Sequence, residues 1–291
     1  MFDEERRSIM RTRIITSVVA LCVLIPVLIF SVTWLFPIAI TVCCFIGLGE
    51  IFKCVGLSKK LWITVPIYSS AAFVILTARL FHELFAYGTE TFIVRVAVPC
   101  MMLVTLYLFA VLVFSKGKIS VEEVSVAGFM SLYIVSSFLA ILFLRDSAAG
   151  AYTYLLIFIG AWVTDSFAYF TGFLFGKHKL IPEISPKKTV EGSIGGILFC
   201  GGAFVLYGIA ISHFVETADR MNLALLFFYG IIVSVVSQIG DLSLSAVKRH
   251  YGIKDFGKIF PGHGGILDRF DSILAVSLVL FVLNEFASVF R

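Results

Sequence analysis

The polar stretch between residues 240 and 271 carries four aspartates and several cations between two apolar runs. Asp268 and Asp271 are one helical turn apart and can face the same point, while Asp241 closes the preceding apolar run. Carboxylates that converge with few sulfur or imidazole ligands suit a hard cation such as Mg²⁺, bound together with substrate phosphates. The stretch therefore predicts a site for a metal ion and phosphate groups.

Basic side chains and a glycine-rich turn lie in the same stretch. The cations able to neutralise phosphate charge are Lys248, Arg249 and Arg269. Arginine would do so through a bidentate fork and lysine as a point charge. The turn 261–265 precedes a predicted helix, and the N–H groups at Gly264 and Gly265 could lie against phosphate. His263 either contacts the ligand or stabilises the turn.

A second basic segment, 185–192, stands directly before an apolar helix. It offers ammonium groups, hydroxyls and a helix N-terminus to an anion, and phosphate is the obvious one. The side chains concerned are Ser185, Lys187, Lys188, Thr189 and Glu191. The alternative is a solvated loop whose positive charge only reflects membrane orientation.

Asp165 lies in the middle of an apolar run, where an unpaired carboxylate costs at least ~2–3 kcal/mol. Tyr169 and Gly172 follow on the same helical face. Asp165 and Tyr169 are therefore predicted to line the membrane-depth floor of a polar cavity. The alternative for Asp165 is a polar bond that holds helices together.

The elements that must position these residues are membrane helices. Hydrophobic residues make up 59% of the 291 residues and charged residues 14%, with mean hydropathy +1.01. Soluble domains are ~45–50% apolar and ~25% charged, so a soluble enzyme, a disordered chain and a coiled coil are excluded. We predict an all-α, polytopic membrane protein of about nine helices. The expected spans are 14–32, 35–52, 61–80, 91–114, 126–144, 152–175, 190–213, 223–242 and 272–290.

The distribution of basic residues predicts the orientation of these spans. With the N-terminus inside, 18 of the 23 Lys and Arg residues fall on the cytoplasmic side and 5 on the other. The positive-inside rule therefore predicts an N-in, C-out chain. It also explains the net charge of +4 without any binding of nucleic acid. The two most polar inside segments come late in the chain, where a cytosolic nucleotide could reach them.

Three motifs together resemble the phosphatidate cytidylyltransferases (CDP-diacylglycerol synthases). The longest is Ser245-x-x-Lys-Arg-x₄-Lys-Asp-x-Gly-x₃-Pro-Gly-His-Gly-Gly-Ile-x-Asp-Arg-x-Asp271. The others are Asp165-x-x-Ala-Tyr-x-x-Gly172 and Ser185-Pro-Lys-Lys-Thr-x-Glu-Gly192. They cover less than half of the chain, at its C-terminal end, and the N-terminal half resembles the family only in hydropathy. One position departs from the pattern, because Leu244 stands where family members usually have Glu before the Ser.

The resemblance implies synthesis of CDP-diacylglycerol and pyrophosphate from CTP and phosphatidate, with Mg²⁺ alone or with a second cation. The residues that it places at metal and phosphate are Asp241, Lys248, Asp268 and Asp271, with Asp241 and Asp268 as metal ligands. Those that it places near nucleotide or lipid phosphate are Lys187, Lys188, Arg249 and Arg269. Ser245 and Lys254 belong to the long motif and are expected to contact substrate.

We expect residues 1–125 to supply scaffold, lipid or oligomer contact and residues 126–291 to carry the site, within one integral domain. The resemblance and the habit of polytopic proteins suggest a homodimer. The expected location is a bacterial-type inner membrane, with the site facing the cytoplasm. Two other functions stay open: a CTP-dependent lipid kinase of the polyprenol or phytol type, and a transporter of phosphorylated anions.

Overall fold

The chain folds mostly into helices. A computed structural model describes residues 2–85, 89–147, 149–214 and 222–288, with side chains at 14–84, 89–147, 149–213 and 222–288. The longer helices are α1 (Phe2–Ile29), α2 (Leu35–Cys54), α3 (Leu61–Phe85), α5 (Val98–Phe114), α6 (Val121–Asp146), α8 (Leu155–Phe175), α9 (Val190–Phe214), α10 (Leu223–His250) and α11 (Leu267–Phe286). Two single turns, α4 (Thr89–Phe92) and α7 (Gly150–Thr153), precede α5 and α8, and a π-helical turn (Ile93–Ala97) joins α4 to α5.

Seven helical segments among the described residues are long and apolar enough to cross a bilayer. They are Leu35–Cys54, Leu61–Leu84, Thr89–Phe114, Val121–Asp146, Gly150–Phe175, Val190–His213 and Leu223–His250. Many of their large apolar side chains are exposed, such as Phe173 at 77% and Phe129 at 71%. Such a surface needs lipid around it, so the protein is an integral membrane protein.

The predicted count of nine spans is not confirmed. The helix at the first predicted span has a described apolar part of only 16 residues, Ile14–Ile29. At the last one, α11 is 20 residues long and carries four charged residues: Asp268, Arg269, Asp271 and Glu285. Segment 35–52, one of the expected spans, lies within one continuous helix, α2. The N-in orientation stays a prediction.

A small sheet departs from the all-α prediction. Lys179–Ile181 (β1) and Ser185–Thr189 (β2) pair as an antiparallel hairpin, with Lys179 opposite Thr189 and Ile181 opposite Ser185. The first five residues of the basic segment 185–192 therefore form one strand of a short two-stranded ribbon. Strands of three and five residues are too short to show the alternation from which a strand is predicted.

The helices divide into two units. The first unit holds the described residues up to Leu142 together with Ile253–Arg269, and the second holds Phe143–Gly252 and the chain from Phe270 onward. In the first unit, Leu48, Ile63 and Ile134 are fully buried. In the second unit, Phe204 and Val233 are fully buried. The predicted division at residue 125 stays a prediction.

Glycines let α9 and α10 approach closely in the second unit. A Cβ at Gly230 would lie 2.7 Å from Gly201 Cα and 2.9 Å from the Cys200 carbonyl oxygen. Both neighbours are backbone atoms, which cannot turn aside as a side chain can. The two helix backbones therefore touch at this crossing, as small residues at helix interfaces in membranes permit.

Gly230→Ala is expected to destabilise the protein by about 1–3 kcal/mol, the usual cost of overpacking. Thermal unfolding in detergent would measure the change as a lower Tm. Gly202→Ala is the matched control, because a Cβ at Gly202 meets nothing within 4 Å and alanine favours the helix. An equal Tm for the two variants would contradict the close approach of α9 and α10.

Candidate active site

Three aspartates from three helices lie near one another in the second unit. Asp165 comes from α8, Asp241 from α10 and Asp271 from the first turns of α11. The Ser272 hydroxyl donates to Asp165 Oδ2 at 3.4 Å, and the Ser272 N–H donates to Asp271 Oδ1 at 2.8 Å. Asp271 also interacts electrostatically with both Asp165 and Asp241. The fold therefore brings together acids that are 30 to 106 residues apart in the sequence.

Two lysines accompany these acids. Lys188, on β2, forms an ion pair with Asp241 Oδ2, and the Ser245 hydroxyl donates to Asp241 Oδ1 at 3.3 Å. Lys248 is 8% exposed and close enough to stabilise the negative charge of Asp271. The hairpin and α10 therefore supply positive charge to the acids, as phosphate-binding sites require.

The acids still repel one another. Burial, together with the negative charges of Asp241 and Asp165, raises the pKa of the Asp271 carboxyl to about 7. Asp271 precedes the apolar part of α11 and lies outside the seven apolar segments.

Within the described residues, no three His, Cys, Asp or Glu side chains are already arranged as metal ligands.

Two residues of the hairpin motif stabilise local structure. Thr189 is buried, and its Oγ1 accepts the Gly192 N–H in the first turn of α9 at 3.1 Å. Glu191 Oε2 accepts the Lys177 N–H at 3.0 Å, and Glu191 Oε1 lies 2.6 Å from His178 Nδ1. These contacts join the end of α8 to the hairpin and the start of α9. They also explain why threonine and glutamate stand at positions 189 and 191, with no need for a role in ligand binding.

Tyr169 lies in an exposed aromatic strip on α8. It is 68% exposed and stacks on Phe173, with ring centroids 6.4 Å apart. Phe170 contacts its ring edge-on at 5.7 Å. Ser185 is half-buried and Lys187 exposed on β2, and Arg249 is exposed at the end of α10.

In the first unit, Asp268 organises the loop that precedes α11. Its Oδ2 accepts two backbone N–H groups, from Phe256 at 2.8 Å and from Gly265 at 2.9 Å. The side chain is 7% exposed. Gly264 adopts φ +85, where a Cβ would be strained and would press on Asp268. The Gly265 N–H, predicted to contact phosphate, is therefore engaged by a carboxylate of the protein.

Glu50 is a site residue that the sequence interpretation missed. It lies on α2, is 7% exposed, and accepts the N–H groups of Ile266 and Leu267 at 2.9 and 2.8 Å. These partners are 216 and 217 residues away in the sequence. The signal was available, since an acid inside a predicted span is costly and needs a reason.

His263 contacts the first helix. Its Nδ1 lies 2.9 Å from Thr16 Oγ1, and its Nε2 lies 3.4 Å from Ser17 Oγ. Thr16 also donates to the Pro261 carbonyl at 3.3 Å. His263 was predicted either to contact the ligand or to stabilise the turn, and these bonds favour stabilisation of the turn. Lys254 and Arg269 are exposed in the same unit.

Comparison with known proteins identifies the family. Residues 11–287 match the cytidylyltransferase family. The chain belongs to this family. It is 34% identical over 275 residues to the phosphatidate cytidylyltransferase of Staphylococcus haemolyticus (strain JCSC1435), covering 94% of this chain and 98% of that protein. The phosphatidate cytidylyltransferase of Staphylococcus aureus (strain COL) is 33% identical over 274 residues, with the same coverage. The family predicted from the three motifs is confirmed.

Membership in the cytidylyltransferase family extends over the N-terminal half, which the motifs did not cover. A relative from Staphylococcus epidermidis (strain ATCC 12228 / FDA PCI 1200), also named phosphatidate cytidylyltransferase, is 42% identical over 171 residues. At the position that departs from the family pattern, Leu244 is 2% exposed on α10. An aliphatic side chain there is packed in the interior of the second unit.

Proposed function

We propose that this protein transfers the cytidylyl group of CTP to phosphatidate, giving CDP-diacylglycerol and pyrophosphate. The observation that carries the proposal is similarity over 94% of the chain to relatives named phosphatidate cytidylyltransferase. The clustered aspartates and lysines of the second unit support it, because they suit a substrate rich in phosphate.

In the proposed reaction, an oxygen of the phosphatidate phosphate attacks the α-phosphorus of CTP. A new P–O bond forms there, the bond to the bridging oxygen of the β-phosphate breaks, and pyrophosphate leaves. The nucleophile is already anionic near neutral pH, so it needs little help from a base. The obstacle is repulsion between two polyanions, and catalysis should rest on positioning and charge neutralisation.

The lysines are proposed to neutralise this charge. Lys188 is placed by the hairpin and Lys248 by a buried position on α10. When phosphate arrives, Lys188 would exchange its bond with Asp241 for one with a phosphate oxygen. Exposed cations of the motifs would cover the outer phosphates: Lys187, Arg249, Lys254 and Arg269.

The carboxylates are proposed to hold Mg²⁺, with Asp241 and Asp268 as the ligands. The surroundings of Asp241 support this proposal, since it lies near Asp165 and Asp271 and all the donors are oxygens. A bound Mg²⁺ would supply Lewis-acid polarisation of the α-phosphate and stabilise the leaving group. To coordinate Mg²⁺, Asp241 would have to break its ion pair with Lys188.

The proposal also includes the orientation, location and assembly of the protein. The count of basic residues supports an N-in chain with the motif segments at the cytoplasmic face, where CTP is available. The bacterial relatives support a bacterial-type inner (plasma) membrane as the proposed location. A homodimer remains the proposed assembly.

The test uses detergent-purified protein, phosphatidate vesicles, Mg²⁺ and CTP labelled at the α-phosphate. Label should enter lipid, and one pyrophosphate should appear for each labelled lipid. With CTP labelled at the γ-phosphate, lipid should stay unlabelled. Labelled lipid in the γ experiment alone would instead support a lipid kinase. Flux of phosphorylated anions into vesicles without either product would support a transporter.

A further inference from the structure

The start of α11 is held by two buried carboxylates of the first unit. Three consecutive N–H groups, at 265–267, donate to them: the first to Asp268 and the next two to Glu50. A helix N-terminus is normally an anion site because its first N–H groups lack partners. Here protein carboxylates already take these donors.

Two glycines make room for Glu50. A Cβ at Gly265 or at Gly257 would overlap the Glu50 carboxylate. Both glycines thus allow the loop backbone to close around the side chain. A third close approach, between Gly47 of α2 and Leu267, lies one helical turn earlier on α2. The loop is built around Glu50, and α2 is placed to deliver it.

Glu50 uses its two oxygens separately. Oε1 accepts the Ile266 N–H, and Oε2 accepts the Leu267 N–H. A glutamine has only one such oxygen, and its NH₂ group would face an N–H donor. A buried donor left without an acceptor is costly, so the Gln side chain cannot keep both bonds.

We infer that Glu50 is a positioning residue that fixes Asp268 for cytidylyl transfer. Glu50 fixes the backbone of the two residues directly before Asp268, and Asp268 in turn binds the backbone at 256 and 265. The orientation of the Asp268 side chain therefore depends on a carboxylate in the N-terminal half of the chain. The inference depends on the proposed function only because it assumes that Asp268 acts in cytidylyl transfer.

Glu50→Gln tests the inference through two independent measurements. Hydrogen exchange of the segment containing residues 254–268 should be at least about tenfold faster, because acceptors are lost. The kcat for cytidylyl transfer should fall about 100-fold, as for a small misplacement of a reacting group, with KM for CTP nearly unchanged. Glu50→Asp keeps both acceptor oxygens and should recover part of kcat. A merely structural role would not produce this split between kcat and KM.

Glu123→Gln is the matched control. Glu123 is a half-buried acid of the first unit that binds Lys60 and the Ser120 N–H, away from the loop, so its removal should leave exchange at 254–268 and kcat within about twofold. If Glu50→Gln does not fold, Gly257→Ala displaces Glu50 from the other side and should give the same two changes.

Three results separate the inference from the proposed function. Unchanged exchange at 254–268 in Glu50→Gln would overturn the inference, and so would faster exchange with kcat within about threefold of the unsubstituted protein. Unsubstituted protein that transfers no label from CTP would instead overturn the proposed function. The exchange measurement needs no activity and would still report whether Glu50 holds the loop.

Discussion

Replacing Asp268 with asparagine is expected to lower cytidylyl transfer at least about 10³-fold while the protein stays folded. The loop should survive because one atom, Asp268 Oδ2, accepts both backbone N–H groups. An amide oxygen in the same place can accept both. What the substitution removes is the negative charge, which the proposed metal role requires.

Transfer of label from α-labelled CTP into lipid measures this effect, and a thermal unfolding curve verifies the fold. Asp255→Asn is the control within the same loop, because Asp255 is exposed and precedes Phe256 directly. The control should keep activity within about twofold, as surface changes do. Activity in Asp268→Asn close to that of the control would remove Asp268 from the metal role.

Asp241→Asn is expected to lower transfer about 10²–10³-fold. Asp241 is the partner of Lys188 and a neighbour of Asp271. Its charge would therefore both bind the proposed Mg²⁺ and position the lysine proposed to bind phosphate. The two side chains of this ion pair are partly exposed, at 25% and 24%. The Lys188 ammonium group is itself buried, so the loss of its partner should also lower stability, by about 1–3 kcal/mol, and a thermal unfolding curve would measure this separately from transfer.

Initial rates over a range of CTP and Mg²⁺ concentrations would measure the Asp241 effect. Glu183→Gln is the control, since Glu183 is an exposed acid in the turn between β1 and β2. A loss no greater than that of Glu183→Gln would show that the acids of the second unit do not take part in transfer. A loss that high Mg²⁺ reverses would favour the metal role over simple charge balance.

Hydropathy was sufficient to locate the main helices, because the cost of burying polar groups in lipid governs every residue of a span. The hairpin at 179–189 has no comparable signal. A strand of three residues shows no period, and its stability depends on its pairing with β2. The predicted spans at the two ends of the chain are not confirmed. At the C-terminal one, α11 is apolar but begins with three charges in five residues.

The sequence allowed prediction of those site residues whose type is unusual for their position. Asp165 and Asp241 could be chosen because acids beside or within apolar runs are unusual, and Asp271 because it is one helical turn from Asp268. Glu50 could not be linked to the turn at 261–265, because its partners are backbone N–H groups, which every residue other than proline has. The Gly265 N–H was predicted to contact phosphate, and Gly257 was only a position in the long motif. The structure shows both glycines making space for the Glu50 side chain from α2.

The bonds from Glu50 to the start of α11 bear on how this chain could be divided. A fragment beginning after residue 125 would keep all three sequence motifs and yet lack the acceptor for two N–H groups beside Asp268. Such a fragment should be inactive alone and regain activity when the missing helices are supplied as a separate chain. Insertions and fusions that alter the register of α2 should act as loss-of-function changes. The region without motifs should therefore not be interchangeable with another membrane anchor.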